Sequence, residues 1–187
     1  MTEALTPSAL APDARLALPG DIPGLHRLIE SAYRGDSARR GWSHEADLLG
    51  GQRTDAESLA AILADPAQAM LVLALAADII GCVSVADRGG GIAYLGLLTV
   101  NPDRQAAGLG RHLLAIAEDH AMRAFAARRM EMTVIRQRGE LIAYYERRGY
   151  ARTGEERPFP YGDARFGEPR TDALAFVVLE RMLAAAR

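Results

Sequence analysis

Gln105-Ala106-Ala107-Gly108-Leu109-Gly110-Arg111 is the stretch of this 187-residue chain whose make-up most needs a chemical reason. Small residues at 106, 107, 108 and 110 follow an apolar run and open an amphipathic segment, leaving the backbone bare enough for another molecule to lie against it. The first N–H groups of a helix have no partner within it and sit at the positive end of its dipole. A row of such amides is a site for an anion; pyrophosphate suits it best, and Arg104 or Arg111 adds charge. The same residues also make a tight strand-to-helix turn without any ligand, and the loop by itself leaves both readings open. Two other phosphate loops do not fit. A P-loop ends in Gly-Lys-Ser/Thr, and this chain has no lysine at all. A dinucleotide loop reads G-x-G-x-x-G after the first strand of a parallel βαβ unit, whereas here Q-x-x-G-x-G follows three consecutive strands.

The elements around the loop follow from periodicity. "ARLALP" alternates as a first strand, and Asp21 is placed to cap a helix to about Tyr33, with Ile22, Leu25, Leu28, Ile29 and Tyr33 on one face. After a polar loop, Thr54-x-x-Glu57 fits a capping box for a second helix ending near Asp65-Pro66. "AMLVLALAA", "IIGCVSVA" and "IAYLGLLTV" then read as a three-stranded meander, with turns at Ala77-Asp78 and at the run Gly89-Gly90-Gly91. Gly96 interrupts the third of these strands, as expected of a bulge or of close approach by another molecule. A long helix over about 108–127 presents Leu109, Leu113, Leu114, Ala117 and Ala121 on one side. "MEMTVI" is a further strand, a helix over about 140–147 closes on Gly149, and "YARTGEE" and "DALAFVVLERML" are the last two strands. The sum is an α/β (α+β) fold, with helices packed on the faces of a mixed sheet.

Composition narrows the class. The length predicts one domain over 14–187 behind a loose Ala- and Pro-rich tail over 1–13. A net charge of −2 gives no reason to expect nucleic acid or an anionic membrane as partner. The lack of lysine excludes a lysine nucleophile or Schiff base on this chain. The lone Cys82 lies in an apolar strand, which predicts an inert packing thiol, no disulfide framework and no cysteine-held metal. No apolar run reaches the roughly 18 residues of a membrane span, and the N-terminus lacks the pattern of a secretory signal. The expected location is therefore cytoplasmic.

The approach "TVNPDRQAAGLGRHLL" resembles the V-x-P-x-x-Q-x-x-G-x-G signature of the GNAT superfamily of acyl-CoA-dependent N-acetyltransferases. "LIAYYERRGYARTGEE" resembles its second hallmark, an aliphatic helix followed by Y-E-x-x-G-F/Y and a strand. Together they imply a mostly antiparallel central sheet of about 7 strands flanked by about 4 helices, and acetyl-CoA as co-substrate with no metal. On this resemblance, the backbone N–H groups of residues 106 to 111 hold the pyrophosphate, within a cofactor site of Leu98, Thr99, Val100, Gln105, Ala106, Ala107, Gly108, Leu109, Gly110 and Arg111. It implies direct attack of an amine on the thioester. The backbone N–H of Leu98 is the expected oxyanion donor, on a strand bulged by Gly96, and Tyr145 the expected proton donor to the leaving sulfur. Tyr144 is expected to pack rather than react.

The chain departs from the superfamily where many members carry a glutamate base on the fourth strand: "IAYLGLLTV" has no carboxylate, and Tyr94 stands near that position. The amine proton is expected to leave through ordered water, with His44 and Glu45 as the alternatives. By the same resemblance the acceptor groove lies between residues 34–53 and 157–170, where Trp42 either walls the pocket or anchors the loop. In those loops Arg34, Arg39, Arg40, Arg53, Arg165 and Arg170 outnumber Asp36, Glu45, Asp47, Asp163 and Glu168, which favours a carboxylate-bearing acceptor over a polyamine. The function implied is acetyl transfer to the primary amine of a small molecule. A protein or peptide N-terminus as acceptor and a non-catalytic acyl-CoA sensor are the alternatives, and exposed sheet edges allow a homodimer.

Overall fold

The structure is a computed structural model that describes residues 12–34, 45–104, 108–163 and 166–184. Trp42, His44, Gln105, Ala106 and Ala107 of the expected site lie outside the described residues. The described residues form nine strands and four α-helices: β1 (Asp13–Leu16), α1 (Ile22–Tyr33), β2 (Leu49–Gly50), α2 (Ala56–Ala64), β3 (Gln68–Leu75), β4 (Asp78–Asp87), β5 (Ile92–Val100), α3 (Leu109–Phe125), β6 (Arg129–Ile135), α4 (Gly139–Glu146), β7 (Ala151–Pro158), β8 (Glu168–Pro169) and β9 (Ala175–Met182). Seven strands make one sheet in the order β1-β3-β4-β5-β6-β9-β7, antiparallel at every step except the parallel pair β5–β6.

β3 and β4 read as continuous apolar runs because both of their faces are covered. Met70 and Val72 of β3 and Cys82 of β4 pack with Leu25, Leu28 and Ile29 of α1 and Leu59 of α2. The alternate residues Leu71, Leu73, Val83 and Val85 pack on the other face with Leu113, Leu114, Ala117 and Ala121 of α3. A strand's period of two thus sends one register to each core, and each fully buried leucine contributes about 1.5–3 kcal/mol. Cys82 lies inside, where burial pushes its thiol up to about 12, so it packs and does not react.

The parallel pair is the short one. β5 meets β6 only at Ile92↔Arg129, Ala93↔Met130 and Tyr94↔Glu131, and past Tyr94 the two strands part. On the other side of β5, the ladder with β4 slips between Ser84↔Gly96 and Cys82↔Thr99. Leu97 carries the bulge, with φ +47, and its carbonyl accepts from the Thr99 hydroxyl at 2.9 Å. This corrects the expectation for Gly96, which borders the bulge without a left-handed φ. Its small size answers to Ser84, whose Oγ would lie 2.9 Å from an added Cβ.

Two helix starts also differ from the sequence reading. Asp21 does not cap α1: its carboxylate takes Arg15 at 2.6 and 2.9 Å and the Leu18 N–H, and a short 3₁₀ turn precedes the helix. α2 is capped by Asp55, whose Oδ1 accepts from Ser58 N–H at 2.6 Å, while the neighbouring Thr54 N–H donates to Glu30. The end of α4 follows expectation closely. Gly149 (φ +87) donates to Glu146 O at 3.0 Å and Tyr150 N–H donates to Tyr145 O at 3.2 Å, the two bonds of a Schellman turn. That turn fixes the tyrosine-bearing last turn of α4 against β7.

The segment returning from α1 is held by charge and by a two-stranded ladder, Leu49↔Pro169 and Gly50↔Glu168, that the sequence reading lacked. Glu45 is ion-paired to Arg34 at 3.0 Å, Arg138 at 3.2 Å and Arg53 at 3.9 Å. Burial pushes its carboxyl up, but Arg53, Arg138 and Arg34 together outweigh burial and hold it below the ordinary carboxylate range. A carboxylate depressed in the folded state stabilises the fold above its unfolded pKa of about 4.3 and loses that contribution as pH falls through the lower folded value.

Two outcomes follow for stability. Gly149→Ala forces a side chain into the left-handed region and lowers unfolding free energy by about 1–2 kcal/mol in urea titration. Glu45→Gln leaves three arginines without their counter-charge, costs about 3–5 kcal/mol and removes part of the acid-side decline in stability, read from Tm against pH.

Candidate active site

The fork between β5 and β6 has a cavity on each side. The larger, about 540 Å³, is bounded by Leu98 and Val100 of β5, by Gly108 to Arg111 at the start of α3, and by α4 with Arg138, Arg147 and Arg148. The smaller, about 120 Å³, lies among Tyr94 to Leu98 of β5, Met132 to Ile135 of β6, Glu45, Arg53, Phe166 and Phe176. Tyr33, Leu98, Arg138, Leu141 and Tyr145 border both. A molecule in each cavity would therefore meet its neighbour at these five residues.

The larger cavity has the chemistry of a pyrophosphate cleft. Its end wall is the N-terminus of α3, with unpartnered amides and the positive dipole end, and Arg111, Arg147 and Arg148 also line it. The two glycines there have separate reasons. Gly108 has φ +75, a conformation that side chains disfavour, whereas an added Cβ on it would find open space. Gly110 is sterically pinned, because its Cβ would lie 2.6 Å from the hydroxyl oxygen of Tyr144. The loop thus serves a turn and a close approach together. Leu98 and Val100 face the cleft, while Thr99 between them is buried with its hydroxyl on Leu97 O. Among the described residues no strand pairs with β5 on the β6 side past Tyr94, so an extended ligand can lie there in place of a strand.

Tyr145 and Tyr144 have different surroundings. Tyr145 is 5 % exposed, packs edge-on to Tyr144 and Tyr150, and reaches both cavities. Burial, with the nearby Tyr33, pushes its phenol far above the ordinary value, so it stays protonated at neutral pH. Tyr144 is half-buried under Arg148, whose guanidinium carbon sits 3.4 Å from the ring centroid, and it borders the larger cavity only. Arg138 and Tyr33 are the residues that sequence reasoning missed. Tyr33 ends the buried face of α1 and donates its hydroxyl to Leu98 O at 2.9 Å, fixing the bulged strand from behind. The signal was a tyrosine among aliphatic residues at a helix end; for Arg138, one residue before α4, no sequence signal existed.

In the smaller cavity, Tyr94 lines the wall, and its hydroxyl is 2.6 Å from Thr133 Oγ1 across the fork. Glu45 lines it too, as the carboxylate shared by Arg34, Arg53 and Arg138. Among the described residues no cluster of three or more His, Cys, Asp or Glu could hold a metal, and no helix is long and apolar enough to cross a membrane.

Known structures share this architecture. YncA from Salmonella typhimurium, solved with its cofactor acetyl-CoA, superposes with a TM-score of 0.65 at 17 % identity, over 94 % of this chain and 96 % of that one. An acetyltransferase of the GNAT family from Streptococcus pneumoniae gives 0.63 at 19 %, over 92 % and 99 %. A variant of spermidine N-acetyltransferase SpeG from Vibrio cholerae gives 0.66 at 14 %, over 92 % and 94 %. At these identities the likeness concerns the fold. No curated protein sequence matches significantly. Residues 43–160, more than half of the chain, match the acetyltransferase (GNAT) domain family, from the acceptor-side segment through the glycine loop to the tyrosine helix. The chain belongs to the GNAT acetyltransferase family and is an acetyl-CoA-dependent acyltransferase.

Proposed function

We propose that the protein moves an acetyl group from acetyl-CoA to the primary amine of a small molecule, by direct attack of the amine in the fork between β5 and β6. The observation that carries this reading is the meeting of the two cavities at Leu98 and Tyr145. The bound co-substrate supplies an activated acetyl thioester. The cavity at the start of α3 takes its phosphates, and the free edge of β5 at Leu98, Thr99 and Val100 takes its pantetheine arm.

The chain's own groups then have three tasks. The Leu98 backbone N–H, on the strand re-aimed by the bulge at Leu97, donates to the carbonyl oxygen as charge grows there; one well-aimed donor is worth about 3 kcal/mol. The Tyr145 hydroxyl, protonated at neutral pH as a phenol ordinarily is, gives its proton to the departing sulfur. The amine proton leaves through water. Glu45 is a poor base, since its carboxyl is held low by the arginines and its oxygens are already occupied. Tyr94 shares its hydroxyl with Thr133 and closes the end of the fork.

The acceptor space of about 120 Å³ suits a small molecule better than an extended peptide end. Tyr145 at the junction argues for catalysis over mere cofactor sensing. Cytoplasmic location belongs to the same proposal.

Thiol release from acetyl-CoA, measured against amino acids, amino sugars, polyamines, aminoglycosides and short peptides, tests the reading. Turnover is expected with one small-molecule class. Tyr145→Phe is expected to lower kcat by about one to three orders of magnitude while acetyl-CoA affinity changes little. Unchanged kcat in that variant removes Tyr145 from the chemistry, and silence across the panel with acetyl-CoA still bound defeats the small-amine reading.

A further inference from the structure

The acceptor cavity concentrates its charge in one place. Its wall is part polar and part apolar: Leu95, Leu97, Val134, Ile135, Phe166 and Phe176 give the apolar part, while Tyr94 and Thr133 bond each other. The charged groups in the wall are Glu45, Arg53 and Arg138, with Arg34 buried directly behind Glu45. Glu45 is ionised, so among the described residues three guanidiniums surround a single carboxylate, a net charge of about +2 for these four groups.

Within the cluster, Arg34 is short of hydrogen-bond acceptors. Nε and Nη2 of Arg34 are buried without a partner. Gly167 closes over this guanidinium so tightly that an added Cβ would lie 2.9 Å from Nη2. Arg53 reaches Glu45 only at 3.9 Å, beyond a hydrogen bond, and rests its guanidinium 5.2 Å from the centroid of the Tyr33 ring. Neighbouring carboxylates are committed elsewhere. Glu30 accepts the backbone N–H groups of Arg53 and Thr54 at 2.7 and 2.9 Å, and Glu131 pairs with Arg157 at 2.9 Å; neither lines the cavity.

We infer that the acceptor is a small amine bearing a carboxylate, of amino-acid size, whose carboxylate is taken by Arg53 with Arg138 while its amine points to Leu98. This deepens the acetyltransferase reading and rests on it. Arg138 borders both cavities and Arg53 only the smaller one, so a carboxylate at Arg53 places the amine end towards the junction. A planar guanidinium accepts a carboxylate through two parallel N–H···O bonds, which fixes orientation as well as charge. The space, about 120 Å³, suits a small molecule. A polyamine is disfavoured on the same grounds. Among the described residues, the carboxylate in the wall is already shared by three arginines, and a second ammonium would enter a net positive site.

The test compares three acceptor sets by thiol release from acetyl-CoA at neutral pH: amino acids, the matching amino-acid amides, and linear diamines of similar length. Each set is run with the wild type, Arg53→Met and Arg53→Lys, with acetyl-CoA affinity as the check that each variant is folded. The wild type is expected to favour carboxylates over their amides by about tenfold or more in kcat/KM, expressed in KM. Arg53→Met, which keeps bulk and removes charge, abolishes that preference, and Arg53→Lys restores part of it. Equal or better turnover of amides or diamines by the wild type, or an undiminished preference in Arg53→Met, overturns the carboxylate inference and leaves the acetyltransferase reading standing. No turnover of any set, with acetyl-CoA still bound, defeats the small-amine reading itself and the inference with it.

Discussion

A parallel pair of strands that separates after three residue pairs is the constraint on which the rest of this molecule depends. Interior strands of a sheet normally satisfy their backbone groups on both edges, and an unpaired buried edge is costly. β5 instead leaves β6 past Tyr94 and retains only its ladder with β4, itself bulged at Leu97. The structure spends its special geometry on keeping this opening in shape. Tyr94 and Thr133 bridge the fork at its closed end, the Tyr33 hydroxyl holds Leu98 O from the α1 side, and the Thr99 hydroxyl satisfies the Leu97 carbonyl. The opening then offers one edge of β5 to a ligand strand and connects two cavities of unequal size, both lined by arginine.

The two sides are built by different forces. On the cofactor side, aromatic packing and backbone geometry set the position. The Schellman turn at Gly149 fixes the end of α4, Tyr145 is buried between Tyr144 and Tyr150, and Tyr144 presses on Gly110 so that α4 and the start of α3 approach closely. On the acceptor side, buried charge does the same work. Replacing a buried ion cluster by apolar groups is often neutral, whereas breaking one is expensive. Retaining three arginines around Glu45 therefore needs a reason beyond stability, and a carboxylate ligand at Arg53, which reaches Glu45 only at 3.9 Å, is such a reason.

Much of this was legible in the chain because it rests on local rules. The buried face of α3, the C-terminal glycine of α4 and the three-stranded meander each follow from spacing within about ten residues. Tyr145 and the glycine loop were legible through their resemblance to a family pattern, and the structure gives the two glycines protein reasons, a left-handed turn at Gly108 and contact with Tyr144 at Gly110. What escaped was set at long range. Leu97 takes the left-handed conformation because of how β4 and β5 slip, although Gly96 beside it has the more permissive residue type. Arg138 meets Glu45 across 93 positions of sequence, and the two-residue strands β2 and β8 are too short to carry a period. Asp55 rather than Thr54 caps α2, and the Thr54 N–H instead reaches Glu30 across 24 positions of sequence.

The most direct test of the fork as the seat of transfer is a crystal structure with bound coenzyme A. The account predicts pyrophosphate at the N–H groups of residues 108–111, the pantetheine arm alongside Leu98 to Val100 in place of a strand, and the sulfur beside the Tyr145 hydroxyl at the junction of the cavities. A pantetheine arm lying outside the fork, or a sulfur that ends away from Tyr145, would contradict it.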